Sequence, residues 1–280
     1  MKYNTKVVGT LNYTPDSFSD GGKFFSIDKA LQQVEHLING GADIIDVGGE
    51  STRPTFLYTQ HGNNTISQTE EWDRLQDILP RIIEIAHHHN VQVSIDTRNA
   101  KTAEKAVELN VDYINDVSAL SDDSMLQVLQ SSSVDVIIMH SLGIPLIKNN
   151  IIPKDCDPIN EIITWAQKYI EKLTNAGINK NRIIIDPGIG FSKTATQSLY
   201  ILNNIDRLKI LNQRIHVGHS RKFFLTSCKL NDLTRDNATL AVSIFLFQKG
   251  IDFIRIHNTH IHNDAFNILK KLQEINLNNI

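Results

Sequence analysis

The chain has 280 residues, of which 41% are hydrophobic and 21% charged, and its formal net charge is -3 with a pI near 6.4. This ordinary globular composition and nearly balanced charge give no reason to expect a nucleic acid or an acidic membrane surface as a partner. No apolar stretch is long enough to span a bilayer, no signal-peptide pattern is present, and the two cysteines form no C-x-x-C pair. We therefore expect a cytoplasmic protein without a disulfide framework or a zinc ribbon.

Short apolar runs rich in β-branched residues alternate with segments of helical spacing along the chain. The predicted strands are at 6–11, 43–47, 91–96, 111–115, 134–139, 182–186, 214–218 and 252–256. This strand–helix alternation without consecutive strands predicts an α/β protein with a (β/α)8 TIM barrel, as a single domain over 1–280. A doubly wound open sheet is the alternative, but the G-x-G-x-x-G sequence that would follow its first strand is absent.

Helical spacing is clearest in three segments. One predicted helix face consists of Trp72, Leu75, Leu79, Ile82, Ile83 and Ala86, and Ser67-x-x-Glu70 ahead of it has the pattern of a capping box. Two later faces consist of Ala238, Ala241, Val242 and Phe245, and of Ala265, Ile268, Leu269 and Leu272. The segments 13–26, 48–66 and 141–158, which follow strands, are predicted to be irregular.

Polar side chains stand at the C-terminal end of every predicted strand. In chain order they are Asn12, Asp46, Asp96, Asn115, His140, Asp186, His219 and Arg255. A single one, such as Asp186 before Pro187-Gly188, is equally consistent with a turn or a helix cap. Because the C-terminal ends of all eight strands of such a barrel converge on one rim, the whole set predicts a ligand pocket there.

The side chains of this rim fall into two chemical groups. Groups suited to a phosphate are Arg53, Lys222, Arg255, His257 and Asn12, with Gly48-Gly49 allowing backbone N–H groups to approach an anion. Groups suited to the paired N–H donors of a guanidine-like heterocycle are Asp46, Asp96, Asn115 and Asp186. We therefore expect a substrate that joins a planar heterocycle to a phosphate or diphosphate, with Mg²⁺ shared between Asn12 and that diphosphate.

Several sequence motifs resemble those of the dihydropteroate synthase family. They are LNYTPDSFSDGG at 11–22, GGESTRP at 48–54, SIDT at 94–97, INDVS at 114–118, DPGIGF at 186–191, GHSRK at 218–222 and RIH at 255–257. They occur in the family's order from Val7 to about His257, with one motif for nearly every strand. The ordered set is much more specific than any one of its members.

The resemblance implies a (β/α)8 transferase of folate biosynthesis that condenses 6-hydroxymethyl-7,8-dihydropterin diphosphate with 4-aminobenzoate. The products would be 7,8-dihydropteroate and diphosphate. It implies dissociative C–O cleavage in which Mg²⁺ helps to neutralise the departing diphosphate, without a covalent enzyme intermediate. It also implies a homodimer formed through late helices and inhibition by sulfonamides.

The resemblance further implies roles for individual residues. The implied pterin-binding residues are Asp96, Asn115, Met139, Asp186, Lys222 and Arg255, and the catalytic candidates among them are Asp96, Lys222 and Arg255. The implied diphosphate-binding residues are Asn12, Thr52, Arg255 and His257, with Asn12 as the protein ligand of Mg²⁺. The implied aminobenzoate-binding residues are Phe18, Thr52, Arg53, Pro54, Phe191 and Ser220.

The chain departs from the family's usual pattern at positions outside the implied pterin contacts. Ala119 and Ser192 stand where glycine is common, and Asn258 stands where aspartate is frequent. These departures concern loop behaviour and the response to sulfonamides more than the reaction.

Other notable side chains have simpler interpretations. His87-His88-His89 point in different directions at a helix end, which favours a helix C-terminus over a metal cluster. His260 and His262 are predicted at the surface of the last helix. Glu70-Glu71 and Asp122-Asp123 fall at predicted helix starts, where they interact favourably with the helix dipole.

Other functions remain open from the sequence. A barrel hydrolase with a histidine-bound metal would need an H-x-H at the end of the first strand, where the chain has Leu11-Asn12-Tyr13. A barrel that presents folate to a corrinoid partner would share Asp96, Asn115 and Asp186, but would not need the aminobenzoate residues or Arg255-x-His257. A catalytically silent homologue would be separated from a synthase only by an assay.

Overall fold

A computed structural model of the chain describes residues 4–14, 26–50, 66–144, 150–228 and 235–275. Its strands are β1 Lys6–Asn12, β2 Ile44–Gly48, β3 Gln92–Asp96, β4 Tyr113–Asp116, β5 Asp135–Met139, β6 Ile183–Asp186, β7 Arg214–Gly218 and β8 Phe253–Ile256. Each strand pairs in parallel with the next, and β8 pairs with β1, so the sheet closes into a barrel in chain order. The predicted (β/α)8 barrel is confirmed, because the predicted strands coincide with the observed ones to within two residues.

Helices occupy the connections between the strands. Within the described ranges they are α1 Ile27–Asn39, α2 Gln68–Leu75, α3 Leu79–His88, α4 Ala100–Glu108, α5 Ser124–Gln130, α6 Pro158–Asn175, α7 Ala195–Asn203, α8 Arg235–Gln248 and α9 Thr259–Glu274. None of these helices combines the length and the hydropathy that crossing a membrane requires. The cytoplasmic location and the single domain over the whole of 1–280 stay predictions.

A repeated aspartate contact fixes the N-terminal end of the barrel. Asp43, Asp112 and Asp252 each come one residue before a strand. Their carboxylates accept the second N–H of the preceding strand at 2.7, 2.8 and 2.7 Å, from Val7, Val93 and Ile215 respectively. Because these backbone donors would otherwise be unpaired, the contacts set the register of β1 with β2, β3 with β4 and β7 with β8.

Strand side chains alternate between the outside and the interior of the barrel. The outward residues pack with the helices into the main core, to which Ile215 and Val217 of β7 belong. The inward residues form a smaller cluster, which consists of Val8, Ile44, Tyr113, Ile137, Ile184 and Phe253. This inner cluster is the apolar floor beneath the polar strand ends.

The predicted helical face at 72–86 is divided between α2 and α3. Its members Leu75 and Leu79 are fully buried, as predicted. Ser67 accepts the N–H of Glu70 at 3.1 Å, but the reciprocal half of the predicted capping box is absent from the described contacts. The side chain of Glu70 accepts a hydrogen bond from Arg74 at 2.6 Å instead.

The predicted faces of the last two helices are only partly buried: Ala238, Val242 and Leu269 pack against the main core, but the most buried residues are others. The buried residues are Thr239, Ser243, Leu246 and Phe247 in α8, and Thr259, His262 and Phe266 in α9. In α8 the polar stripe faces inward because His219, at the end of β7, hydrogen-bonds the Ser243 hydroxyl at 2.9 Å. The apolar residues Phe245, Ile268 and Leu272 are consequently 36%, 58% and 61% exposed.

His262, predicted at the surface, and Glu71, predicted only to favour a helix start, are both buried. His262 is 1% exposed, and its Nδ1 lies 2.6 Å from the Asn258 carbonyl oxygen. Glu71 is fully buried and accepts hydrogen bonds from Thr97 at 2.8 Å and Asn99 at 3.0 Å. Burial raises the pKa of Glu71 against these hydrogen bonds. Glu71 thus joins α2 to the end of β3 and is more than a favourable charge at a helix start.

Ala119 and Ser192 adopt left-handed backbone conformations, with φ of 52° and 50°. This conformation is the physical reason for glycine at such positions, because a Cβ is strained there. Around Ala119 the turn is held by Asp116, which accepts the N–H of Leu120 at 2.8 Å. The Ser192 hydroxyl accepts the N–H of Leu142 at 3.0 Å, a contact that glycine would lack.

Candidate active site

One arginine links the ends of neighbouring strands at the barrel rim. Arg255 of β8 donates through Nε to Asp46 of β2 and through Nη2 to Asp96 of β3, the latter at 2.7 Å. Asn115 of β4 donates to Asp46 at 3.1 Å. Asp46 and Asp96 are buried, so the guanidinium compensates negative charge that would be costly alone in the interior. The two carboxylates, the amide and the guanidinium form one cluster.

Asp96 is poised to change its protonation state near neutral pH. Burial raises the pKa of Asp96 to about 7, while the charge of Arg255 opposes the shift and the charge of Asp46 adds to it. Only the ionised form of this carboxyl can stabilise a positive charge on a ligand above it.

The Asp186 carboxylate at the end of β6 is held from two sides. Its Oδ1 accepts the N–H of Gly188 at 2.6 Å, and its Oδ2 lies 2.7 Å from Nδ1 of His216. Burial raises the pKa of Asp186, but the His216 hydrogen bond, the charge of Lys222 and the Gly188 N–H outweigh it, so the pKa is lowered. Asp186 is therefore an ionised acceptor in a buried position.

The turn after Asp186 requires glycine. Gly188 has a φ of +66°, and a Cβ at this position would overlap the carbonyl oxygen of His140. This close approach brings the loop after β6 against the end of β5. There Met139 and Phe191 pack with Val117 in a small buried apolar cluster beside the carboxylates.

Lys222 crosses from the loop after β7 to the loop after β6. Its Nζ donates to the Ile189 carbonyl at 2.7 Å and lies 4.5 Å from the centroid of the Phe191 ring. Burial lowers the pKa of Lys222 to about 8, and the charge of Asp186 opposes that shift. The ammonium group therefore has acidic neighbours on the pocket side and an aromatic face beside it.

His257 and Ser220 form a polar pair next to the acidic pocket. Nδ1 of His257 lies 2.9 Å from the Ser220 hydroxyl, which also receives the backbone N–H of His257 at 3.4 Å. His257 follows Arg255 by two residues at the end of β8, so groups suited to an anion adjoin the acidic cluster.

The side-chain amide of Asn12 is suited to be a ligand of a Mg²⁺ ion that it shares with the substrate. Asn12 ends β1 beside Gly48 of β2, and its side chain makes no hydrogen bond to another described residue. Mg²⁺ is commonly held by one or two protein oxygens together with substrate phosphates and water, and this amide fits that pattern. No group of three or more His, Cys, Asp or Glu in the described part of the chain could hold a metal. The other candidates, Phe18, Thr52, Arg53 and Pro54, lie outside the described residues.

Two buried basic side chains of the site were not predicted. His216 could have been found from the alternation in β7, where Ile215 and Val217 face the helices and His216 must face the interior. Lys193 had no comparable signal. Its Nζ lies 2.9 Å from Nδ1 of His140 and donates to the Phe191 carbonyl at 2.8 Å, and burial lowers the pKa of Lys193 to about 7.

Glu50 is a further residue whose contacts were not predicted. Its carboxylate accepts hydrogen bonds from Arg98 at 3.0 and 3.2 Å and from the N–H of Ile66 at 3.2 Å. It thereby connects the two residues that flank 51–65, the range in which Thr52, Arg53 and Pro54 occur.

Comparisons with known proteins show the family to which the chain belongs. A model of the family described as pterin binding enzyme matches residues 8–257. Dihydropteroate synthase of Clostridium beijerinckii is 38% identical over 257 residues, which cover 91% of this chain and 89% of that protein. A crystal structure of dihydropteroate synthase from Anaplasma phagocytophilum with bound 6-hydroxymethylpterin-monophosphate has a TM-score of 0.86 and 44% identity, covering 96% of this chain and 99% of that one. The Xanthomonas albilineans enzyme with 4-aminobenzoic acid has a TM-score of 0.86 and 29% identity, covering 98% and 94%.

The chain forms a closed barrel with buried carboxylates and cations at its C-terminal rim, and the family model matches it over most of its length. It is therefore a pterin-binding enzyme. More particularly, the chain belongs to the dihydropteroate synthase family, whose members are transferases.

Proposed function

We propose that this chain condenses 6-hydroxymethyl-7,8-dihydropterin diphosphate with 4-aminobenzoate to form 7,8-dihydropteroate and diphosphate. The observation that supports this most strongly is the adjacency of two kinds of site on one strand end. Arg255 reaches the buried Asp46 and Asp96, whereas His257, two residues on, pairs with Ser220. A module that only bound a pterin would need the carboxylates but not the neighbouring anion-binding groups.

The pterin ring is proposed to lie over the carboxylates. Asp186 is held as an ionised acceptor and suits the paired N–H donors of the ring, while the Lys222 ammonium and the Asn115 amide offer donors to its acceptor atoms. Met139 and Phe191 provide the apolar surface that a planar ring needs beside them. These groups come from β4, β5 and β6 and from the loops after β6 and β7, and Phe191 contacts both Lys222 and Met139.

The departing diphosphate is proposed to lie on the cationic side of the rim. Arg255 and His257 offer N–H donors there, and a donor aimed at developing negative charge lowers the barrier to C–O cleavage. Mg²⁺, held by Asn12 and the diphosphate, would neutralise further charge on the leaving group. In the same step the pterin becomes cationic, and the ionised carboxylate of Asp96, over which the ring is proposed to lie, stabilises that charge.

The aniline nitrogen of the aminobenzoate substrate needs little deprotonation before it attacks the pterin cation, so no basic residue is assigned to it. Phe191 and Ser220 are the described residues proposed to border its site. Phe18, Thr52, Arg53 and Pro54 are proposed to complete it. Sulfonamides, which resemble 4-aminobenzoate, are proposed to compete for the same position.

The test is formation of dihydropteroate from the pterin diphosphate and labelled 4-aminobenzoate, with Mg²⁺ or with EDTA. We expect product with Mg²⁺ and a loss of about tenfold or more in rate with EDTA, since the metal contributes to leaving-group stabilisation. An Asp206→Asn variant, altered at an exposed ion pair with Lys249, is the control and should match the wild type.

Two results would contradict the proposal in different ways. Absence of product from a chain that measurably binds 6-hydroxymethylpterin would favour the pterin-binding module over the synthase. A rate unchanged by EDTA would agree with the synthase activity but contradict the proposed role of Mg²⁺.

We also propose that the chain forms a homodimer through α8 and α9. The support is the apolar surface of Phe245, Ile268 and Leu272, which is large for side chains in contact with water. Sedimentation equilibrium should give twice the 31.6 kDa chain mass for the wild type and the single mass for an Ile268→Glu, Leu272→Glu double variant. The matched control, Asn267→Glu with Lys271→Glu on the same helix, should remain dimeric. A monomeric wild type would contradict the dimer.

A further inference from the structure

The inside of β7 presents a histidine to the carboxylate that the proposed function assigns to pterin recognition. His216 is 1% exposed, and its Nδ1 lies 2.7 Å from Oδ2 of Asp186 on the adjacent strand β6. On β8, the other neighbour, His216 is in register with Phe253, whose ring centroid is 6.5 Å away. His216 therefore stands between the apolar floor of the barrel and the polar rim.

The hydrogen-bond network assigns the proton of the imidazole. Asp186 is an ionised acceptor, so the group facing it must be Nδ1–H. Nε2 is buried and hydrogen-bonds none of the described residues. The imidazole therefore donates to Asp186 through Nδ1.

This donor completes the immobilisation of the Asp186 carboxylate. Gly188 occupies one lone pair of Oδ1 at 2.6 Å, and His216 occupies one lone pair of Oδ2. One lone pair on each oxygen is left, and together they match two parallel N–H donors on the edge of a heterocycle. Without His216 the carboxylate would be fixed through Oδ1 alone and would lose a defined plane.

We propose that His216 is a positioning residue that fixes the plane and the ionised state of the Asp186 carboxylate for the pterin ring. This inference rests on the proposed function, in which Asp186 binds that ring. His216 itself touches neither substrate and acts only through Asp186. Its removal should therefore weaken the binding of one substrate and spare the other.

The test compares two variants. His216→Leu fills the space of the imidazole with a side chain that has no hydrogen-bond donor, whereas His216→Asn has an amide N–H that can occupy the place of Nδ1–H. Calorimetry measures the affinity for 6-hydroxymethylpterin, and steady-state kinetics measure KM for both substrates. His216→Leu should raise the Kd and the KM for the pterin ligand by about 10- to 100-fold, the effect of one charge-assisted hydrogen bond. For the aminobenzoate substrate, KM should stay within about twofold, and His216→Asn should recover most of the pterin affinity.

Tyr113→Phe is the matched control, because it alters another inward polar side chain, whose hydroxyl contacts Gln92 at 3.0 Å on the floor side. Its pterin affinity should equal that of the wild type. Unchanged pterin binding by a folded His216→Leu variant would overturn the inference. So would equal losses in the leucine and asparagine variants, or a parallel rise of both KM values with a lower Tm. A wild type that binds no pterin would instead overturn the proposed function.

Discussion

Replacing Asp186 by asparagine is expected to weaken pterin binding by about 100-fold, because one hydrogen bond would be replaced by a donor–donor contact and the others would lose their charged acceptor. Gly188 and His216 already direct N–H donors at this side chain from within the protein. An amide presents one oxygen and one NH₂ group, so one of these donors or one pterin N–H would meet another donor. Calorimetry with 6-hydroxymethylpterin measures the change directly, and turnover should fall with it.

The difference in stability between the wild type and Asp186→Asn should depend on pH in a defined direction. The folded pKa of Asp186 is lowered, so its contribution to stability is present above the unfolded value of about 4 and is lost as the pH falls through the folded pKa. Urea unfolding should therefore separate the wild type from Asp186→Asn at neutral pH and bring them together in acid.

Asp252→Asn is the control for Asp186→Asn. Asp252 accepts the N–H of Ile215 at 2.7 Å at the opposite end of the barrel, so its loss should lower stability without changing pterin affinity. If Asp186→Asn binds pterin as tightly as the wild type, the assignment of Asp186 to pterin recognition is wrong.

Replacing Arg255 by methionine is expected to reduce both stability and activity. Asp46 and Asp96 are almost inaccessible, so removal of the guanidinium would leave two uncompensated buried carboxylates, at a cost of roughly 3–5 kcal/mol in the free energy of unfolding. The pKa of Asp96, already about 7, would rise further without Arg255, and the protonated form cannot stabilise a pterin cation. Loss of leaving-group and cation stabilisation should lower kcat by about 100- to 1,000-fold.

A double variant separates the two roles of Arg255. Adding Asp46→Asn to Arg255→Met removes one uncompensated charge, so urea denaturation should show much of the stability restored. The catalytic rate should remain low, because the donor to the diphosphate is still missing. Recovery of full activity in the double variant would mean that Arg255 serves only to compensate its two carboxylates.

The sequence by itself determined the barrel and the composition of its rim. Eight apolar runs separated by helical spacing leave few folds open, and parallel strands bring their C-terminal ends to one side. Asp46, Asp96, Asn115 and Arg255 could therefore be placed together in advance, and the structure joins them by hydrogen bonds. The left-handed backbone at Ala119 and Ser192 likewise agrees with the glycine expected there.

Only the tertiary structure decided which helix faces pack against the barrel and which side chains of neighbouring strands and loops contact one another. Helical spacing marked apolar residues on α8 and α9, yet the stripe packed against the barrel contains Ser243, because His219 needs a hydrogen-bond partner there. The contacts of His216 with Asp186 and of Lys193 with His140 join residues 30 and 53 positions apart. Local periodicity records the spacing of side chains along one element. It does not record which side chain of another element lies opposite, and burial, hydrogen bonding and charge at this rim depend on those lateral contacts.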